Sequence, residues 1–163
     1  MTSDVKDATS AAVSTGLPIP QSFGAKVKGT DRKRILIADD HVAMLEEVRE
    51  LLGSSYDIVE SVADGSALVE AAQRLQPDLI ISDVSMPVMT GFQAAAAIRR
   101  LGIACKIIFL TVQSSPAYLK KAHSLGADGY VLKVYTGEQL STAVSHVLSG
   151  QRYISPQLEA DWK

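Results

Sequence analysis

Apolar and polar positions change rhythm along this chain. Over residues 1–33 neither an alternating nor a helical period is sustained, and Ser, Thr, Ala, Gly and Pro recur, so this stretch is expected to be a flexible tail. From Arg34 the pattern becomes regular. The run RILIA (34–38) is short, apolar and of the buried-strand type, and it ends in two acids. Val42, Leu45, Val48 and Leu52 then recur on one helical face. Tyr56 to Val62 reads as a second, more mixed strand, and Asp64-Gly65 marks a turn. Leu68, Ala71, Ala72 and Leu75 return at helical spacing, and Pro77 punctuates that helix. DLIIS (78–82) is a third strand. A loop with Met86-Pro87 and Gly91 leads into an alanine-rich helix over 92–101. KIIFL (106–110) is a fourth strand, Pro116 opens a helix that Gly126 stops, and Tyr130 to Leu132 is a fifth strand. Glu138 to Ser149 is the last helix, with Leu140, Val144, Val147 and Leu148 facing inward.

Five strands alternating with five helices predict an α/β domain over residues 34–150. Residues 151–163 are then a C-terminal tail or the start of a linker. Four of the strands are almost wholly apolar, as in a parallel sheet covered on both faces, while the second suits a sheet edge. With right-handed crossovers the natural architecture is a flavodoxin-like, doubly wound, five-stranded parallel sheet of order 2-1-3-4-5. Ligands in such sheets lie beyond the carboxyl ends of the strands, near the switch point in strand order. The reactive side chains gather at that edge. Asp39 and Asp40 follow strand 1, Asp83 follows strand 3, Thr111 ends strand 4, and Lys133 ends strand 5.

Three carboxylates in one pocket repel one another, and a bound cation relieves this. Oxygen donors with room for water favour Mg²⁺, or Mn²⁺ in its place. A phosphoryl oxygen can fill a position that such an ion leaves open. Lys133 supplies a charge to a second oxygen and Thr111 a hydroxyl to a third, and Asp83 can serve as the carboxylate nucleophile. Taken singly, each of these residues has a plainer reading. An Asp after a strand is usually a turn or cap residue, Thr111 a cap, and Lys133 a solvated charge. Their convergence on one edge favours the site.

Composition narrows the remaining classes. A net charge of −2 over 163 residues offers no basic footprint, so no nucleic-acid binding is expected from this chain itself. Cys105 is the only cysteine, which excludes an internal disulfide framework. No apolar run approaches the ~18 residues that span a bilayer. No signal peptide is recognisable, and a cytoplasmic location without membrane attachment is expected. His41, His123 and His146 show no metal-ligand spacing and read as surface or helix residues.

ILIADDH (35–41), DLIISDVSMPVMTGF (78–92), KIIFLT (106–111) and GADGYVLK (126–133) resemble the receiver domain of bacterial two-component response regulators. The resemblance covers roughly residues 34–150. It implies that Asp83 is the phosphorylated aspartate and Asp40 a direct Mg²⁺ ligand, with Asp39 acting through water. The backbone carbonyl of Ser85 is implied as a further ligand. Thr111 and Lys133 would sense the phosphoryl group, and Tyr130 resembles the switch aromatic that moves inward with Thr111. Tyr130 also admits a plainer reading, as a half-buried core residue with a wet hydroxyl.

The implied partners are a histidine kinase or phosphotransfer protein, together with a second copy of the chain in a homodimer. EQL…AVSHVLSGQRYISPQL resembles the subclass that carries a C-terminal LuxR-type helix-turn-helix output domain. The chain ends at Lys163, about where a linker would start, so DNA binding is not expected within it.

Two positions depart from the family. Val112 stands where a small residue usually follows the threonine, and Val134 stands where a cis proline often follows the lysine. Haloacid-dehalogenase-type phosphatases share the Asp, Thr, Lys and Mg²⁺ set, but they require a second acid two residues after the nucleophile, where this chain has Ser85. The other alternative is a degenerate receiver acting as a phosphorylation-independent interaction module. All five of Asp39, Asp40, Asp83, Thr111 and Lys133 are present, which argues against it. The protein is not expected to be an enzyme beyond its own phosphorylation and dephosphorylation.

Overall fold

Side-chain parity along the strands explains the layering. In β1 (Arg34–Ala38), Ile35 and Ile37 point to one face of the sheet and Leu36 and Ala38 to the other. Ile108 and Leu110 of β4 (Lys106–Thr111) join the first face, and Ile107 and Phe109 the second. The first face is covered by α1 (Val42–Leu52) and α5 (Thr136–Leu148). The second is covered by α2 (Gly65–Leu75), α3 (Gly91–Arg100) and α4 (Pro116–Ser124). Two cores therefore sandwich one sheet, as expected where most of the strands are almost wholly apolar. The computed structural model describes residues 31–162, and from Lys33 on they form one compact unit.

The sheet is parallel throughout, with strand order β2 (Asp57–Val62), β1, β3 (Leu79–Ser82), β4, β5 (Gly129–Leu132), β6 (Tyr153–Ile154). This is the flavodoxin-like order with one small strand added. β2, read from sequence as the mixed edge strand, is half-buried at every position. Helices are expected from sequence in the same places, with shifts at the ends. The last helix begins at Thr136 rather than Glu138, because the buried Thr136 hydroxyl donates to the Lys133 carbonyl (2.7 Å) and draws the first turn back.

The C-terminal stretch differs from the expected tail. Residues 153–154 pair with β5, and Pro156–Asp161 form a 3₁₀ helix whose Leu158 enters the core. A two-residue strand is too short to print a period on the sequence. The tail expected over residues 1–33 lies almost wholly outside the described residues.

The β3–α3 loop is fixed from several sides. Thr90 and Gln93 form a reciprocal capping box at the start of α3. Gly91 lies against the backbone of Asp83, where an added Cβ would sit 1.9 Å from the Asp83 carbonyl oxygen. The Gly65 N–H donates to the Met89 carbonyl, and a Cβ on Gly65 would sit 2.1 Å from that oxygen. Both glycines are therefore needed for close approach. Between them the chain makes a tight three-residue turn, in which the Met89 N–H donates to Pro87 O (2.7 Å) with Val88 at φ 68°.

A β-branched residue is strained at positive φ, and Val88, 83% exposed, gains little packing in return. Val88→Asn is therefore expected to raise unfolding stability by about 1 kcal/mol, as measured by urea denaturation, because Asn tolerates this backbone region. Equal or lower stability would show that the turn carries no such strain.

Candidate functional site

Four strands, β1, β3, β4 and β5, with their following loops deliver the polar residues to one edge. Asp39 follows β1 and is buried. Its Oδ1 accepts from the His41 N–H (2.9 Å), which turns the chain into α1, and its Oδ2 lies 2.8 Å from Lys133 Nζ. Asp83 follows β3 and is also buried. Its Oδ1 accepts from Val84 N–H (2.7 Å) and Ser85 N–H (3.4 Å), and its Oδ2 accepts from Lys133 Nζ (2.9 Å). Lys133, directly after β5, thus bridges the two acids with its side chain only 11% exposed. Burial alone would lower the Lys133 pKa. The hydrogen bonds to Asp39 and Asp83, with their charges, outweigh that and hold it above its ordinary value.

Asp40 is exposed, with Oδ1 3.3 Å from His41 Nδ1. His41 Nδ1 also lies 3.0 Å from Asp39 Oδ1. One donor atom each from Asp39, Asp40, His41 and Asp83 falls within 4.8 Å of the others. Three carboxylates against one ammonium leave a local excess of two negative charges. Mostly hard oxygen donors carrying that excess fit a divalent cation such as Mg²⁺ or Mn²⁺. His41 is exposed, in keeping with its reading as a surface or helix residue, but sequence reasoning did not anticipate its place beside the acids. It caps α1 from within the acid cluster, and its adjacency to Asp39-Asp40 was the available signal.

Thr111 ends β4, fully buried, and its Oγ1 accepts from the Gln113 N–H (3.2 Å). Val112 follows, 68% exposed. Tyr130, in β5, is wholly buried rather than half-buried, and its hydroxyl donates to the Gln113 carbonyl (2.6 Å). The loop after Thr111 is thereby tied both to the threonine and to the tyrosine. Burial, with smaller contributions from Tyr118 and Asp83, pushes the Tyr130 pKa well above its ordinary value. Ser85 is exposed on the β3–α3 loop, and Val134 is exposed after Lys133 in a trans chain. His123 and His146 lie on α4 and α5, away from the acids, in edge-on ring contacts with Trp162 and Tyr153.

Comparison with known proteins gives a consistent result. Residues 35–145 match the family described as "Response regulator receiver domain". The transcriptional regulatory protein DesR of Bacillus subtilis is 36% identical over 129 residues, which is 78% of this chain and 64% of DesR. The chemotaxis protein CheY of Halobacterium salinarum is 32% identical over 117 residues, covering 72% of this chain and 98% of CheY. Among solved structures, the isolated REC domain of RcsB from Salmonella enterica, with the phosphomimetic BeF₃⁻, superposes with TM-score 0.75 at 26% identity. That match covers 82% of this chain and all of the RcsB domain. A LuxR-family response regulator from Aurantimonas superposes with TM-score 0.76 at 29% identity, over 80% of this chain and 95% of that one. The chain thus spans less than two thirds of DesR but nearly all of CheY. Among the described residues no helix is long and apolar enough to cross a membrane. The chain belongs to the receiver domains of two-component response regulators, and the proteins it resembles include DesR, CheY and a LuxR-family regulator.

Proposed function

We propose that this receiver domain accepts a phosphoryl group on Asp83 from a partner histidine kinase or phosphotransfer protein, in the presence of Mg²⁺ or Mn²⁺. The observation that carries the proposal is the buried bridge from Lys133 Nζ to Asp39 (2.8 Å) and Asp83 (2.9 Å). It supports a site built to hold concentrated negative charge. Asp39, Asp40, Asp83 and the Ser85 backbone carbonyl would hold the cation, which supplies charge neutralisation for the incoming phosphoryl oxygens.

An Asp83 carboxylate oxygen forms the new P–O bond as the donor's P–N bond breaks, and the electron pair leaves with the donor imidazole. Two backbone N–H groups, from Val84 and Ser85, fix the orientation of the carboxylate before reaction. Lys133 then exchanges its contact with Asp83 for a phosphoryl oxygen, and the Thr111 hydroxyl takes another. Thr111 and Tyr130 share the Gln113 segment, so a shift at Thr111 reaches Tyr130 directly. Phosphorylation then biases a population between conformers of α4, β5 and α5, and a second copy would pair through that face or through α1 and α5. Activities of full-length relatives, including control of transcription, extend to this protein only through chain outside the receiver fold.

Incubation with acetyl phosphate and Mg²⁺, read by intact mass, is expected to add one phosphoryl group to the wild type. None should be added to Asp83→Asn, or after the metal is chelated. An unmodified wild type would refute the phosphoacceptor reading and favour the phosphorylation-independent interaction module.

Val112, which follows Thr111 directly, is expected to stand in the way of attacking water and so to slow aspartyl-phosphate hydrolysis. Val112→Ala should shorten the phosphorylated half-life by roughly an order of magnitude or less. An unchanged half-life removes Val112 from the account.

The Tyr130 phenol releases its proton near pH 10.0 when unfolded and only at higher pH when folded. Its contribution to stability is therefore intact below pH 10.0 and lost as pH rises toward the folded value. Lys133, also raised, acts in the same direction. Tyr130→Phe is expected to cost about 1 kcal/mol at neutral pH through the lost bond to Gln113. It should also flatten the alkaline fall in stability by about 1 kcal/mol per pH unit. Parallel pH profiles for the two proteins would contradict the assignment.

A further inference from the structure

The C-terminal segment is tied into the switch by a buried polar network that the receiver chemistry does not require. β6 pairs with β5 only at Gly129↔Tyr153 and Tyr130↔Ile154. Beyond that register, Ser155 takes over the pairing. Its N–H donates to the Tyr130 carbonyl (2.9 Å), and its Oγ accepts from the Leu132 N–H (3.0 Å) in the place of a strand carbonyl. The Ser155 hydroxyl then donates to Gln139 Oε1 on α5 (2.6 Å), and Gln139 Nε2 donates to Gln157 Oε1 (3.2 Å). Ser155 is wholly buried and Gln139 nearly so. The residues held in this way are Tyr130 and Leu132, and Lys133 follows at once. Farther along, Leu158 sits in the core beside α4, and the Trp162 ring meets His123 of α4 edge-on at 5.0 Å. Arg152 Nη1 lies 3.2 Å from Nε2 of the same imidazole.

We infer that residues 153–162 are a readout strap: Ser155 couples them to β5, so that a change at Asp83 is transmitted to the contact between Trp162 and α4. The inference rests on the phosphoacceptor reading for its trigger, and on the Ser155 network for its route. Leaving a buried N–H or hydroxyl without a partner is costly, so a displacement of β5 moves the strap with it rather than detaching it. The strap touches β5, α5 and α4, the three elements through which the switch would act. Coupling of this kind is reciprocal, so the seating of the strap also biases Tyr130 and Lys133.

The chain contains a single tryptophan, so its emission has one source. The full chain is treated with acetyl phosphate and Mg²⁺, while mass and Trp162 emission are followed together. Emission is expected to change in proportion to the phosphorylated fraction and to stay constant in Asp83→Asn. Ser155→Ala should still gain the phosphoryl group by mass yet lose most of the emission response. Gln139→Met, which deletes the acceptor of the Ser155 hydroxyl, should do the same and serves where Ser155→Ala fails to fold. A phosphorylated wild type with unchanged emission overturns the inference, as does a full response in either variant. If the wild type takes up no phosphoryl group, the phosphoacceptor reading falls and the coupling is decided by Tyr130→Phe. That change should shift Trp162 emission in the wild-type background but not together with Ser155→Ala, and the absence of any shift overturns the coupling too.

Discussion

The Lys133 ammonium sits between the Asp39 and Asp83 carboxylates at 2.8 and 2.9 Å, and the rest of the site is arranged around that bridge. Each of the three residues follows a different strand: β1, β3 and β5. The bridge therefore depends on the order β1-β3-β4-β5, and on parallel strands that end together. It also explains why two buried acids are tolerated beside a third. Removing a lone buried charge from water is expensive, and a hydrogen-bonded counter-charge offsets much of that cost. Even so, the three acids outnumber the single ammonium. The bridge holds the pocket together without neutralising it, and that imbalance is what suits it to a divalent cation and a phosphoryl group.

Backbone constraints hold the bridge in register. Asp83 begins the β3–α3 loop, and that loop has no freedom to drift. Gly91 lies on the Asp83 carbonyl with no room for a Cβ, and its N–H donates to Val84 O (2.7 Å). Gly65 clamps the middle of the loop through Met89, and Thr90 with Gln93 fixes its exit into α3. In the proposed reaction, a carboxylate held from its own backbone needs little further alignment, which is the main requirement when the chemistry is largely positioning.

Much of this was legible in the sequence because it depends on short periods and strand ends. The alternation of Ile35, Ile37 against Leu36, Ala38 and of Ile108, Leu110 against Ile107, Phe109 specifies two covered faces. A residue one step past such a run must lie on the carboxyl edge of the sheet, so the convergence of Asp39, Asp83, Thr111 and Lys133 follows from counting. What escaped depends on contacts between distant residues or on loop geometry. The strand nature of Tyr153–Ile154 comes from pairing with β5, not from any pattern of its own. Ser155 finds its partners 16 and 23 residues away, in Gln139 and Leu132. His41 enters the acid cluster because its own N–H is captured by Asp39 Oδ1, a turn that adjacency suggests but does not specify.

The depth of Tyr130 links these two kinds of information. The sequence permitted a half-buried ring with a wet hydroxyl, but the structure buries the ring fully and satisfies its hydroxyl on Gln113. A buried phenol must have such a partner, and the one it has belongs to the segment that also holds Thr111. Along the strand edge away from β4, the Tyr130 carbonyl and the Leu132 N–H are satisfied by Ser155. β5 is therefore bonded through the Tyr130 side chain to the loop that follows Thr111, along one edge to β4, and along the other to the C-terminal segment. A strand fixed in this way cannot respond to one side without loading the other. Tyr130 is thus bonded both to the loop that follows Thr111, through its hydroxyl, and to the C-terminal segment, through its carbonyl, which is the geometry the proposed coupling requires.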